Sequence, residues 1–304
     1  MSTFAYLGPV GTFTEAALRA ITSEHDSLIP YANVTAALDS VRSGANSNAL
    51  VPIENSIEGV VARTLDELAS GEPLIITGEV TLPVTFALMA KKGVGAIRRI
   101  ATHPHAESQC RSFIARNFPE AEIISTASTA AAAEAISRGE FDAAIAAPIA
   151  AVHYGLQILK EDIGDNDGAV TRFVLVSKPG VIPAPTGHDR TSLAAFIGPD
   201  HAGALLEVLT EFSVRGVNLT FIQSRPTGRE LGHYHFIIDA EGHISEARVG
   251  DALTGLRRVC ENVRFLGSYP RADKVPPTSG ERSSDASFQE STQWLRDVRE
   301  GRAI

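Results

Sequence analysis

The stretch Val51-Pro52-Ile53-Glu54-Asn55-Ser56-Ile57-Glu58-Gly59 decides the fold class. Its first residues are a short apolar run that reads as a buried strand, and its last are a dense polar cluster ahead of a helical pattern over Val60–Ala69. Open α/β sheets bind ligands where a strand end feeds a helix N-terminus. Asn55 and Ser56 bring hydrogen-bonding groups suited to a carboxylate there, although an Asn/Ser turn with a helix cap accounts for the same residues.

The same unit recurs on both sides of this stretch. Strand candidates at Phe4–Leu7, Ala49–Ile53, Leu74–Ile76, Ile100–Thr102, Glu122–Ser125, Ala143–Ala146 and Val170–Val176 alternate with helical candidates. The helices are expected at Thr12–Ile21, Val34–Val41, Val60–Ala69, His105–Asn117 and Ala127–Arg138, the last an Ala-rich run of high helix propensity. Such alternation indicates a mostly parallel α/β architecture. Between Ser177 and Asp189, Lys178-Pro179-Gly180 and Pro183-Ala184-Pro185 are linker chemistry. Beyond them the order strand (Thr191–Ile197), helix (Ala202–Arg215), strand (Leu219–Ser224), strand (His233–Ile238), helix (Ile244–Cys260), strand (Val263–Leu266) is a ferredoxin-like βαββαβ pattern. The run from Lys274 to Ala286 is poor in apolar residues and is expected to be disordered, while Phe288, Trp294, Leu295 and Val298 share one face of a helical pattern.

Composition narrows the function. The 304 residues are 44% hydrophobic and 21% charged, the balance of a globular chain, and long enough for two domains. Against 36 Asp+Glu stand 27 Lys+Arg, a net charge of −9, which argues against a nucleic-acid partner. No apolar run approaches the roughly 20 residues of a membrane span. Cys110 and Cys260 are too few and too far apart for a disulfide framework, and Thr3-Phe4-Ala5-Tyr6-Leu7 begins without a charged leader, so a reducing, cytoplasmic location is expected.

Three further strand ends carry polar residues. Gly8-Pro9-Val10-Gly11-Thr12-Phe13 turns from strand to helix and puts Thr12 at a helix N-terminus, where N–H groups favour an anion; a structural turn with a cap explains it too. The lysine of a phosphate-binding loop is missing. Thr102-His103-Pro104-His105 leads to Gln109, and two histidines at this spacing do not by themselves make a metal site. Arg172 interrupts the apolar strand Val170–Val176, where it would pair with a substrate carboxylate or with a structural Asp or Glu.

In combination these motifs are specific. Gly-Pro-x-Gly-Thr-Phe (Gly8–Phe13), Pro-Ile-Glu-Asn-Ser (Pro52–Ser56), Thr-His-Pro (Thr102–Pro104) and Thr-Arg-Phe (Thr171–Phe173) resemble the prephenate dehydratase family, in order, from residue 3 to about 178. Gly203-Ala204-Leu205, Asn218-Leu219-Thr220 and Gln223-Ser224-Arg225-Pro226 resemble the ACT regulatory domain that follows, with Gln223 where most members carry Glu.

The resemblance implies an α/β, two-lobed, periplasmic-binding-protein-like catalytic domain (1–178), a linker (179–189), an ACT domain (190–270) and a partly disordered tail (271–304). It implies a lyase that converts prephenate to phenylpyruvate without metal or other cofactor. Thr171 would hydrogen-bond the departing hydroxyl, with Arg172 and Phe173 in the same catalytic motif and Thr12, Asn55, Ser56, Thr102 and Gln109 binding substrate. L-Phenylalanine would inhibit from a site made by Gly203, Ala204, Leu205, Asn218, Gln223, Ser224, Arg225 and Pro226 between ACT domains of a homodimer or homotetramer. Arogenate as substrate, and a two-lobed sensor without chemistry, are the competing readings.

Overall fold

The computed structural model describes residues 2–198, 201–228, 233–278 and 280–302. They form two compact units: Met1–Thr64 with Val80–Val176, and Leu65–Glu79 with Ser177–Ile304. The upstream stretch Leu65–Glu79 thus groups with the C-terminal residues.

The first unit holds β1 (Thr3–Leu7), α1 (Phe13–Arg19), β2 (Ser27–Tyr31), α2 (Val34–Ser43), β3 (Asn48–Asn55), β4 (Gly59–Val60) and the start of α3 (Ala62–Ala69). The end of β5 (Ile75–Pro83), β6 (Ala87–Ala90), β7 (Arg99–Thr102), α4 (Pro104–Gln109), α5 (Arg111–Asn117) and β8 (Glu122–Ser125) follow. Then come α6 (Thr129–Arg138), β9 (Ala143–Ala146), α7 (Pro148–Tyr154), β10 (Gln157–Lys160) and β11 (Val170–Ser177).

These build two lobes on two sheets. One sheet runs β2-β1-β3-β11-β5, with β4 on β3, and the other β10-β6-β9-β7-β8. In the first, β1 lies parallel to β2 and β3 over a core of Tyr6, Leu18, Leu50 and Phe173. In the second, β7 lies parallel to β8 and β9 while β6 runs antiparallel to β9 and β10. Its central strands are apolar on both faces, as helix-covered strands should be, and Ala132, Ala133 and Ile136 of α6 pack on one of them.

Most elements lie where periodicity places them, and the differences have local causes. The helix expected over His105–Asn117 breaks at Cys110, whose φ −120, ψ 15 leaves the helical region between α4 and α5. Strands β2 and β10 are sheet edges, and Pro30 in β2 is tolerated for that reason. The Ala-rich α6 is closed by its own sequence: Ser128 accepts the Ala131 N–H and Gly139 takes the left-handed cap.

The second unit contains β12 (Asp189–Phe196), α8 (Ala204–Ser213), β13 (Leu219–Pro226), β14 (Tyr234–Glu241), α9 (Ala247–Val259) and β15 (Asn262–Pro270). The antiparallel sheet β13-β14-β12-β15 is the ferredoxin-like order, and Val208, Phe212, Val249 and Leu256 of the helices fill its core. The tail carries a helix, α10 (Asp285–Arg299), over the stretch with the helical pattern; Ser284 caps it, and Trp294, Leu295 and Val298 are exposed.

Candidate active site

A cavity of about 660 Å³ opens between the two lobes of the first unit. It lies where β1, β3 and β7 end, the position that strand-to-helix turns make available in α/β folds. One wall is apolar: Phe13 of α1 meets Phe86 edge to face, with ring centroids 5.5 Å apart. The remaining walls carry Asn55, Glu58, His103, His105, Gln109 and Thr171, and no Lys or Arg is among the described lining residues.

Asn55 and Thr171 form the centre of the polar wall. The Asn55 Oδ1 accepts the backbone N–H groups of Ile57 (2.8 Å) and Glu58 (2.9 Å), which fixes the orientation of the amide. Its Nδ2 therefore donates to Thr171 Oγ1 at 2.8 Å. With its oxygen engaged as acceptor, the Thr171 hydroxyl keeps its own proton to give to a bound molecule.

Ser56 is not in the cavity but sets this pair. Its Oγ accepts the Val170 N–H at 3.0 Å and its own N–H donates to the Val170 carbonyl at 2.9 Å, clasping the end of β3 to the start of β11. Successive strand residues face opposite ways, so Arg172 points away from Thr171. The Arg172 Nε lies 3.9 Å from the Glu54 carboxylate, and Arg172 does not line the cavity. Phe173 is also absent from it, buried in the core beneath with Tyr6 and Leu50. Thr102 is fully buried and donates to the Ile145 carbonyl at 2.8 Å, joining β7 to β9. Thr12 does line the cavity, but its hydroxyl donates to the Leu7 carbonyl and accepts the Glu15 N–H, so it serves the turn itself.

The opposite wall joins Gln109, expected from the motif, to Glu58, His103 and His105, which motif reading did not select as site residues. Gln109 Nε2 donates to Glu58 Oε1 at 2.9 Å, across the cavity from α4 to the β3–β4 turn. The other Glu58 oxygen lies 3.8 Å from His105 Nδ1. His103 caps α4, its Nδ1 accepting the His105 N–H at 3.2 Å, which leaves the hydrogen on Nε2. Burial, helped by the neighbouring His105, holds the His103 pKa below its ordinary value and so favours the neutral ring. The sequence signal for His103 was its place just before a proline at a helix start. No signal of that kind marks Glu58. Among the described residues no cluster of His, Cys, Asp or Glu is suited to hold a metal ion.

In the second unit, Gly203, Ala204, Leu205 and Ser224 line one pocket of about 290 Å³ with Tyr234 and Phe236. Gly203 caps α8 at φ +98, a conformation that favours glycine. Asn218 lines a different pocket, beside Phe212 and Val217. Gln223 turns its amide to the Ser224 carbonyl, and Pro226 pairs with Tyr234 along β14. Arg225 makes a two-pronged ion pair with Asp66, at 2.9 and 2.7 Å.

A two-lobed α/β unit with a donor-rich cavity at its strand ends, joined to a ferredoxin-like module with a pocket of its own, is the build of a small-molecule enzyme carrying a regulatory domain. The family models give that class its identity, with Prephenate dehydratase matching residues 4–180 and ACT domain matching 193–258. The chain belongs to the prephenate dehydratase family. It is 47% identical to the prephenate dehydratase of Amycolatopsis methanolica, over 99% of both chains. It is 43% identical to that of Mycobacterium marinum, over 99% of this chain and 97% of the other. The crystal structure of prephenate dehydratase in complex with L-Phe from Arthrobacter aurescens superposes with a TM-score of 0.94 at 48% identity, covering 98% of this chain and 99% of that one. No helix among the described residues is long and apolar enough to cross a membrane.

Proposed function

We propose that this enzyme converts prephenate to phenylpyruvate, water and CO₂, and that L-phenylalanine bound at the ACT domain lowers its activity. The observation that carries the reading is the Asn55–Thr171 pair in the interlobe cavity, in a chain of this family.

The chemistry fits the walls. As the C–CO₂ bond breaks, its electron pair enters the ring, aromatises it and expels the ring hydroxyl, which leaves as water once it gains a proton. Thr171 donates a hydrogen bond to that departing oxygen; a threonine hydroxyl is too weak an acid to do more than donate or relay. The carboxylate that becomes CO₂ is destabilised against the apolar Phe13–Phe86 wall, which favours its conversion to a neutral product. The remaining substrate oxygens are taken by neutral donors, Gln109 and the His103 Nε2–H, in a cavity whose described lining residues include no Lys or Arg. Ser56 and Thr102 act behind the surface, fixing Asn55 and the end of β7.

For the effector, the Gly203–Leu206 turn with Ser224 offers backbone groups and an apolar floor suited to an amino acid. We place the enzyme in the cytoplasm as a homodimer or homotetramer whose ACT domains share that site. The test is phenylpyruvate formation by the purified protein from prephenate, with and without L-phenylalanine, and from arogenate in parallel. Turnover of prephenate that phenylalanine suppresses supports the whole reading. Preference for arogenate changes the substrate, and phenylalanine binding without turnover of either leaves a sensor.

A further inference from the structure

The one buried carboxylate among the described residues of the first unit lies outside the cavity. Glu15 of α1 is only 1% exposed. Its Oε2 accepts the Gly11 N–H at 2.7 Å, and its Oε1 meets Arg19 Nε at 2.8 Å and His153 Nε2 at 2.8 Å. Burial alone would raise its pKa, but the Gly11 N–H, the Arg19 guanidinium and His153 outweigh this and hold it below the ordinary carboxylate value. Glu15 is therefore an acceptor only, and His153 must present a hydrogen on Nε2.

This arrangement exceeds what a helix cap requires. Thr12 already caps α1, and an exposed glutamate three residues on would complete a capping box without burying a charge. Here the carboxylate reaches past the cap to Gly11, inside the turn whose Gly8, Pro9, Thr12 and Phe13 line the cavity. His153 lies on α7, which packs in the core of the other lobe through Ala150 and Ala151. A second tie runs parallel to it: Tyr154 Oη donates to the Val10 carbonyl at 2.9 Å. Between the two ties α7 sits directly on Gly11, where an added Cβ would come within 3.1 Å of Ala150 and 3.2 Å of the Tyr154 ring.

We propose that Glu15, His153 and Tyr154 are positioning residues for the reaction, a latch that sets the Gly8–Phe13 wall of the cavity against the opposite lobe. None touches substrate; each acts through the turn. Catalysis depends steeply on such placement, since a shift of about 1 Å can cost on the order of a hundredfold in rate. The inference rests on the dehydratase reading, so the experiment carries one readout that needs no turnover.

His153→Ala and Tyr154→Phe each remove one tie while leaving the cavity surface intact, and His153→Gln keeps a donor toward Glu15. In His153→Ala, kcat for prephenate is expected to fall about tenfold with KM within about threefold, and the Gln variant to recover most of it. Amide exchange across residues 8–13 should quicken about tenfold in His153→Ala and Tyr154→Phe, whatever the substrate proves to be. A lowered melting temperature with wild-type kcat and wild-type exchange would make the pair a structural brace and overturn the proposal. Absence of turnover in the unmutated protein would instead count against the dehydratase reading, leaving the exchange result to decide the latch.

Discussion

The Asn55 side-chain amide donates to the hydroxyl oxygen of Thr171 at 2.8 Å, while its own oxygen is held by two backbone N–H groups. The donor direction is thereby fixed, and an aspartate in the same place would reverse it. Asn55→Asp keeps the turn but offers Thr171 only an acceptor, so the hydroxyl proton turns away from substrate. The expected result is a fall in kcat of about 10²–10³-fold with melting temperature nearly unchanged, the size seen when one transition-state donor is lost. A variant with wild-type kcat would remove Thr171 from the chemistry.

Acid should weaken the fold in two stages. The folded pKa of His103 is lowered from 6.5, chiefly by burial. Its contribution is thus complete above the unfolded value and is lost as pH falls through the folded one, because the unfolded chain takes up the proton first. Glu15, lowered from 4.5, behaves likewise in a more acidic window. His103→Asn retains an N-cap and cannot titrate, so its urea midpoint should decline less between pH 7 and pH 5 than that of the unmutated protein. Parallel declines would show that His103 is not held neutral by the fold.

Gly11 has φ +88 and lies against α7, so Gly11→Ala combines a strained backbone with a crowded Cβ. Thermal unfolding should show a loss of about 1–3 kcal/mol, and activity should fall with it as the turn shifts. An unchanged melting temperature would mean that the turn relaxes freely.

The Arg225–Asp66 pair is partly exposed, and a double-mutant cycle should give a coupling of about 1 kcal/mol. Its bearing on regulation is separable. If Arg225 serves by bracing β13, Asp66→Ala will shift the L-phenylalanine inhibition curve as far as Arg225→Ala does. A curve that moves only in Arg225→Ala would mean that the guanidinium itself meets the effector.

The local pattern carried much of this. Strand ends punctuated by Gly, Pro, Asn and Ser located the cavity, because ligands collect where such turns interrupt buried strands. Alternation along Val170–Ser177 already separates Thr171 from Arg172, a signal that treating the motif as one block overlooks. Other features had no local signature. Edge strands β2 and β10 lack an apolar run, and Thr12, a donor by motif, spends its hydroxyl on its own turn. Glu15 looks like half of a capping box, and its partner His153 is 138 residues away. Long-range pairs of polar residues leave no periodicity to read.

One consequence follows from the short run Leu65–Glu79, which groups with the regulatory module although it lies far upstream of it. Glu79 takes Arg190 Nη1 at 2.6 Å and the Ala272 N–H at 2.8 Å; Leu68 and Gly71 lend carbonyls to Arg264; Asp66 holds Arg225. The ACT module is thus not a cassette that can be excised at the proline-rich linker and transplanted. A fragment beginning there would carry three arginines shorn of their counterparts, and any exchange of regulatory modules among relatives has to bring a piece of the catalytic half along.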